Sequence, residues 1–410
     1  MNAQPATPEM TDRETTADAR SGTRVAIVSI GIGRVQRGYE RYFGDLFSVL
    51  REATDATLYK SAGKRTRYER VPRLLGPVTA LVRLLPLGKG LEGEVYRKYR
   101  HDCLAYMICL LPVLLRGRFD VIHVIDHPLA KALERLGRIV PYRTRIVFAN
   151  GWGATPDVYP RVDLIHHIAG PLYEQCLVEG VDPETVALVP CGIDTRRFRS
   201  ALSKEELRDK HGVGRDTFVI VVVSALNRYH KRVDHVIREV SAVEGDLLLW
   251  IDGNPEDPTV AELAESLLGD RCRITHVPSE QVADLYGLAD LMVHGAVTEA
   301  FGLAVVEANS AGLRVLAHDS EHFHWLIGDP RDLVDMTEQG ALSARLSTLL
   351  NSEDPALPEQ IEREAAERSR RAIERFDWRS LAPRYLAMYE AVVSGTIGLR
   401  RTRVNEEAQR

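Results

Sequence analysis

Along this chain, short β-branched apolar runs ending in glycine or a polar residue alternate with stretches of helical spacing. That alternation fixes the fold class. RVAIVSI (24–30) is the first such run, and Gly31 ends it. An amphipathic stretch at 39–50 follows, then DATLYKS (55–61), DVIHVIDHP (120–128), RIVFANG (145–151) and VDLIHHIAG (162–170). A second series begins at DTFVIVVVSAL (216–226) and continues through DLLLWIDG (246–253), CRITHVP (272–278), DLMVHG (290–295) and RVLAHD (314–319). Runs apolar throughout are strands buried on both faces, as in parallel sheets covered by helices. The chain therefore reads as α/β, with two doubly wound Rossmann-like domains facing across a cleft. Their expected extents are 24–190 and 191–376, joined through VPCGIDTRRF (189–198). A final amphipathic helix covers 377–394, and polar tails, expected to be disordered or frayed, cover 1–23 and 395–410.

The length supports this division, because 410 residues with 45% hydrophobic and 27% charged side chains can fill two cores. A net charge of -5 argues against a dedicated nucleic-acid binder. Cys103, Cys109, Cys176, Cys191 and Cys272 are scattered and odd in number, with no Cys-x-x-Cys pair. A disulfide framework and a zinc knuckle are thereby disfavoured, and a reducing cytoplasm is expected. No apolar signal core opens the chain. The longest apolar run, 104–115, contains Pro112 and is too short to span a bilayer, so it is expected to be a buried helix.

The most informative stretch is EAFGLAVVEANSAGLRVLAHD (299–319). It follows a strand, and Phe301, Gly302 and Leu303 open a helix that ends near Gly312. Unpaired N–H groups and the positive end of the helix dipole, with a glycine that admits close approach, suit a diphosphate. Glu299 precedes the helix, and Glu307 lies about 7 Å along its axis. Carboxylates so separated suit hydroxyls at the two ends of a sugar nucleotide. The glycine turn GIGRVQRG (31–38) lacks the G-x-G-x-x-G spacing, and the following strand ends in Lys60 rather than an acid, so a dinucleotide site is rejected. No Asp-x-Asp triplet and no metal-spaced His/Asp cluster occurs in the sequence, so no metal and no bound cofactor are expected.

E-x7-E, with Phe-Gly after the first Glu and Glu-Ala around the second, resembles the retaining family-4 glycosyltransferases of GT-B fold. VPCGIDTRRF resembles the family's inter-domain signature, SALNRYHKRVDHVI (224–237) its donor loop, and HVPSEQVADLYGLADLMVHGAVTEAFG (276–302) the run from the base-binding loop, with Val277, to the first Glu. DWRSLAPRYLAMYEA (377–391) resembles a helix that crosses back to the first domain. The resemblance implies that Lys231, with Arg228, neutralises the diphosphate. It also implies that Gly38 approaches the donor phosphates or the acceptor, that Gly33 shapes the glycine loop on the acceptor side, and that His127 touches donor sugar or acceptor. Glu299 would hold sugar hydroxyls and Glu307 the ribose. Asp126 is expected to orient His127 or bind acceptor, while His123 is expected to be packed in the core. His166, His167, His322 and His324 have weaker claims.

The loop 148–160 is expected to receive the acceptor through Asn150 and Trp152, with Tyr159 a further candidate; a tryptophan bracing the cleft is an equal account. Residues 60–100 carry eleven Lys/Arg against three Glu. They read as a helix pair with snorkelling arginines or as a peripheral membrane contact. The expected reaction is metal-independent transfer of a sugar from a nucleoside diphosphate to a small-molecule or lipid-linked acceptor, and the resemblance implies retention. A sugar-nucleotide 2-epimerase and a non-catalytic sugar-nucleotide binder are the rivals.

Overall fold

The computed structural model describes residues 21–34, 38–85, 94–351 and 358–398. In the first domain the strands are β1 (Ser21–Ser29), β2 (Thr54–Lys60), β3 (Glu69–Arg70), β4 (Val121–Val124), β5 (Arg145–Asn150), β6 (Leu164–His167) and β7 (Val186–Leu188). Its helices are α1 (Gly38–Ala53), α2 (Leu75–Val82), α3 (Glu94–Leu115), α4 (His127–Gly137) and α5 (Gly170–Val178). The strands pair in parallel in the order β3-β2-β1-β4-β5-β6-β7. Strand order reverses between β1 and β4, which opens a crevice at their carboxyl ends.

The second domain repeats the plan. Its strands are β8 (Phe218–Val223), β9 (Leu247–Asp252), β10 (Cys272–Thr275), β11 (Leu291–Val293), β12 (Val315–His318) and β13 (Leu333–Val334). They form a parallel sheet in the order β10-β9-β8-β11-β12-β13, which reverses between β8 and β11. Its helices are α6 (Lys204–His211), α7 (Val233–Ser241), α8 (Pro258–Leu268), α9 (Val282–Leu288), α10 (Leu303–Ser310), α11 (Glu321–Ile327), α12 (Ala341–Leu350) and α13 (Pro358–Phe376). Val219, Ile220, Val221, Leu249, Ile251 and Met292 are fully buried, as strands covered on both faces require.

A last helix, α14 (Trp378–Ser394), returns to the first domain and packs on α1 and β1. Its N-terminus is capped by Asp377, which accepts from Arg379 N–H. Tyr385 Oη lies 2.7 Å from Tyr42 Oη and donates to the Pro190 carbonyl at 2.9 Å. Tyr389 Oη meets His123 Nδ1 at 2.8 Å, His123 Nε2 meets His166 Nδ1 at 3.1 Å, and His166 Nε2 meets the Val189 carbonyl at 2.7 Å. A carbonyl only accepts, so His166 Nε2 carries a proton, and the chain runs in one sense from the Tyr389 hydroxyl to Val189. Gly192 lies against the Trp378 indole, where a Cβ would come within 2.4 Å of the ring.

Three differences from the sequence expectation concern chain ends and the basic segment. β1 begins at Ser21, before the apolar run, because residues 21–23 continue along the edge of Thr54. The expected fraying at 395–410 does not begin at Gly395. Gly395 takes the left-handed C-cap, Ile397 packs on the core, and Gly398 N–H donates to the Glu184 carbonyl. Of the tails, 1–20 and 399–410 lie outside the described residues. In the basic segment, α2 buries Leu75 and Val82, whereas Leu81 is 68% and Leu84 79% exposed. Residues 86–93 of that segment lie outside the described residues, and 94–100 form the start of α3. No helix among the described residues is long and apolar enough to cross a membrane.

Candidate active site

The two crevices face each other. The loops after β8 and β11 meet at the second domain's switch point, and those after β1 and β4 at the first's. They approach closely at Gly38, where a Cβ would lie 3.6 Å from Leu303 Cδ1.

On the second domain's side of the cleft, Asn227 builds the loop that carries Lys231. Its buried Oδ1 accepts from His230 N–H at 3.1 Å and from Lys231 N–H at 2.8 Å. Arg232 completes the turn at φ 51°, a left-handed conformation unusual for a side chain of that size. Gly295 lets β11's loop pass beneath, since a Cβ there would sit 3.0 Å from the Lys231 carbonyl. Lys231 Nζ bonds Glu299 Oε1, and His294 Nε2 lies 3.1 Å from the same oxygen. Burial pushes the Glu299 carboxyl up, but His294 and Lys231 outweigh it and hold the group well below the usual carboxylate range.

The helix start follows the sequence reading. Gly302 is the N-cap of α10 at φ 93°, and a Cβ there would meet Leu326 Cδ2 at 3.1 Å. Leu303 and Ala304 supply the first orphan amides of that helix. Phe301 differs from the expected ligand: its ring is 4% exposed and packs edge-on to Trp325 and Phe376. Its carbonyl bonds His322 Nε2 at 2.9 Å, so Phe301 anchors the turn from the core. Val277 donates its N–H to Asp252 Oδ1 at 2.8 Å, which fixes the loop after β10.

Glu307 is 3% exposed and stands apart from Glu299. Tyr286 donates to its Oε2 at 3.2 Å, and Arg41 Nη1, from α1 of the first domain, lies 2.9 Å from its Oε1. Burial pushes the Glu307 carboxyl up, and Arg41 opposes the shift. Arg228 does not join Lys231. It turns toward the start of α8, 3.4 Å from Asp257 and 3.1 Å from the Thr259 carbonyl, because the Asn227 turn sends the two basic side chains in different directions.

On the first domain's side of the cleft two residues differ from expectation. Asp126 is buried under the β1 loop, accepting from Ile30 N–H at 2.9 Å and Tyr99 Oη at 2.7 Å; burial pushes its carboxyl up to about 6. Asn150 is fully buried, and both polar atoms of its side chain bond the backbone of Ala154. Both residues shape loops instead of facing an acceptor. Gly33, at φ 85°, is held where a Cβ would strike the Ala62 carbonyl at 2.4 Å. His127 is half-buried with Nε2 on the Val158 carbonyl at 2.8 Å, and burial pushes its pKa down. Its ring lies 5.6 Å from that of Trp152, which is 53% exposed. Tyr159 Oη sits 3.3 Å from His167 Nε2, beneath this loop. His123 and His166 belong to the buried chain described above, and His324 pairs with Asp319 on the surface.

Sequence reasoning missed Arg41, Asn227, Tyr286 and His294. Asn227 carried a local signal, an Asn heading a turn. His294 lies five residues before Glu299, at the end of a strand already read, whereas Arg41 and Tyr286 are joined to the site by tertiary packing.

Residues 203–368 match the family described as glycosyl transferases group 1. Over a longer span the chain is 25% identical to the MMP alpha-(1->4)-mannosyltransferase of Mycolicibacterium hassiacum, covering 78% of this chain and 76% of that protein. The chain spans about half the length of the curated D-inositol 3-phosphate glycosyltransferases it matches. Sucrose-phosphate synthase from Thermosynechococcus elongatus superimposes with a TM-score of 0.71 at 16% identity, over 91% of this chain and all of that one. HepE of Anabaena, in complex with UDP and glucose, gives 0.67 at 15% identity, over 90% of this chain and 100% of its own. The fold is GT-B, and the residues that match this family include Lys231, His294, Glu299, Gly302 and Glu307, which line the cleft side of the second domain.

Proposed function

We propose that the protein transfers a sugar from a nucleoside diphosphate to an acceptor held by the first domain, with retention at the anomeric carbon. The observation that carries this reading is the Lys231–Glu299 pair beside the Gly302 helix start. The helix amides and Lys231 supply positive charge where the leaving diphosphate gathers negative charge. Glu299 accepts from sugar hydroxyls, and Glu307 from the ribose. Glu299 is not a nucleophile here: an ionised carboxylate already bonded by two donors is a weak one. The leaving phosphate is placed to take the acceptor proton from the same face that the acceptor attacks. This scheme draws on no bound metal or cofactor.

His127 and Trp152 present an aromatic wall across the cleft, suited to a hydroxylated acceptor, small or lipid-linked. Exposed Leu81 and Leu84 beside Arg73 and Arg83 support peripheral contact with an anionic lipid surface from the cytoplasmic side. UDP-bearing HepE shares the fold, which favours a nucleotide in the corresponding cleft. The test is a thermal-shift screen of UDP, GDP and ADP, then mass spectrometry of products from the matching sugar nucleotides with candidate acceptors. A nucleotide-dependent shift followed by an acceptor-dependent glycoside supports the proposal. Turnover without acceptor to an epimerised donor, or binding without turnover, overturns it.

A further inference from the structure

His294 is not exposed to substrate, yet it is built into the donor site. It stands at the carboxyl end of β11 with its N–H on the Leu316 carbonyl at 2.8 Å, and it is 3% exposed. The Phe323 ring, 5.5 Å away at 64°, packs edge-on against the imidazole. Its Nε2 reaches Glu299 Oε1 at 3.1 Å, and Lys231 bonds that same oxygen. Among the described residues nothing bonds Oε2. The carboxylate end of Glu rotates easily, and an ammonium group donates to either oxygen in many orientations. A ring N–H is directional and here comes from a side chain fixed by packing.

We propose that His294 is a positioning residue for donor selection: by holding Oε1 of Glu299 it turns Oε2 toward the hydroxyls of the donor sugar. His294 then acts only through Glu299, and what it controls is discrimination by hydroxyl pattern rather than nucleotide affinity. The inference rests on the donor role proposed above for Glu299.

The experiment compares His294→Leu, His294→Gln, Glu299→Gln and the double variant H294L/E299Q in the full chain. UDP and GDP binding is measured first. Turnover follows with whichever of UDP-glucose and GDP-mannose the native protein uses, and with deoxy analogues lacking single sugar hydroxyls. Outer partners that orient ligating side chains in metal sites are worth about 10- to 100-fold, and a loss of the same order is expected for this oriented carboxylate. For His294→Leu we expect kcat/KM for the intact donor to fall by that factor, while one deoxy analogue falls less than about threefold and nucleotide Kd stays within about twofold. His294→Gln, which keeps an N–H donor, should recover most of the loss. The double variant should be no worse than E299Q alone. Equal losses on intact and deoxy donors, or full additivity, would overturn the role of His294. If E299Q itself leaves hydroxyl discrimination intact, the donor assignment of Glu299 fails instead, and the two failures are told apart. Weakened UDP and GDP binding in both His294 variants would also overturn the proposal, since the side chain would then be holding the fold of the site.

Discussion

Acidification should unfold this protein through its buried imidazoles, and one substitution should measure the share of a single ring. Burial pushes His166 down to about 3 and His167 down to about 4, and holds His123 well below its ordinary value. In the unfolded chain each would titrate near 6.5, so between that pH and its folded value the unfolded state holds a proton the folded state lacks. Stability from these groups is therefore complete above about pH 6.5 and is lost as pH falls, at about 1.4 kcal/mol per pH unit for each ring. Asp126 works the other way: its raised pKa of about 6 gives the folded state one extra proton between there and its unfolded value. Three rings less one carboxyl leave two protons, or about 2.7 kcal/mol per pH unit near pH 5. His127, His211, His235 and His322, also pushed down by burial, add to the slope, and Asp45, Glu307 and Asp332, whose carboxyls burial pushes up, subtract from it. Against a typical stability of about 5–15 kcal/mol, two pH units are decisive. His166→Gln removes one titrating ring while keeping the chain of contacts, because an amide can accept from His123 Nε2–H and donate to the Val189 carbonyl. Urea unfolding across pH 4.5–7.5 should show the slope reduced by about 1.4 kcal/mol per pH unit in the variant. An unchanged slope would refute the reasoning.

The remaining expectations concern the cleft. Gly302→Ala meets both a left-handed backbone and Leu326, so it should cost about 1–3 kcal/mol in stability and abolish measurable nucleotide binding; an unperturbed Tm with full binding contradicts it. Lys231→Ala should weaken nucleotide binding at least tenfold, whereas Arg228→Ala should stay within about threefold, by isothermal titration. Arg41→Ala leaves Glu307 buried beside Tyr286 without its cation. It should cost about 2 kcal/mol, below the 3–5 kcal/mol of a wholly buried pair because Arg41 is 34% exposed. Nucleotide affinity in that variant should also fall on acidification sooner than in the native protein, as Glu307 protonates at higher pH.

Both sheets were legible because parallel strands buried on two faces are apolar throughout, and such runs stand out against amphipathic helices. The two-residue strands β3 and β13 were not, since Glu69–Arg70 and Leu333–Val334 are too short to carry a period. In the site, Gly302, Lys231 and Glu299 are local to recognisable turns. Asp126 and Asn150 carried the same signal, a polar residue at a strand's carboxyl end, yet point into the protein. Residue type and strand end do not tell whether a side chain meets the cleft or the backbone of the next loop; only the packing of Tyr99 and Ala154 decides it. Arg41 was invisible for a different reason, as its partner lies 266 positions away (41 to 307).

The path of α14 also governs assembly during synthesis. The face of the first lobe formed by Tyr42 and His123 is covered by side chains between positions 378 and 394. A ribosome emits that lobe before its cover, so the lobe must wait, with an unsealed seam, while the whole second domain emerges and folds. Losing those few turns of helix would therefore injure the lobe made first, not the one to which they are attached in sequence.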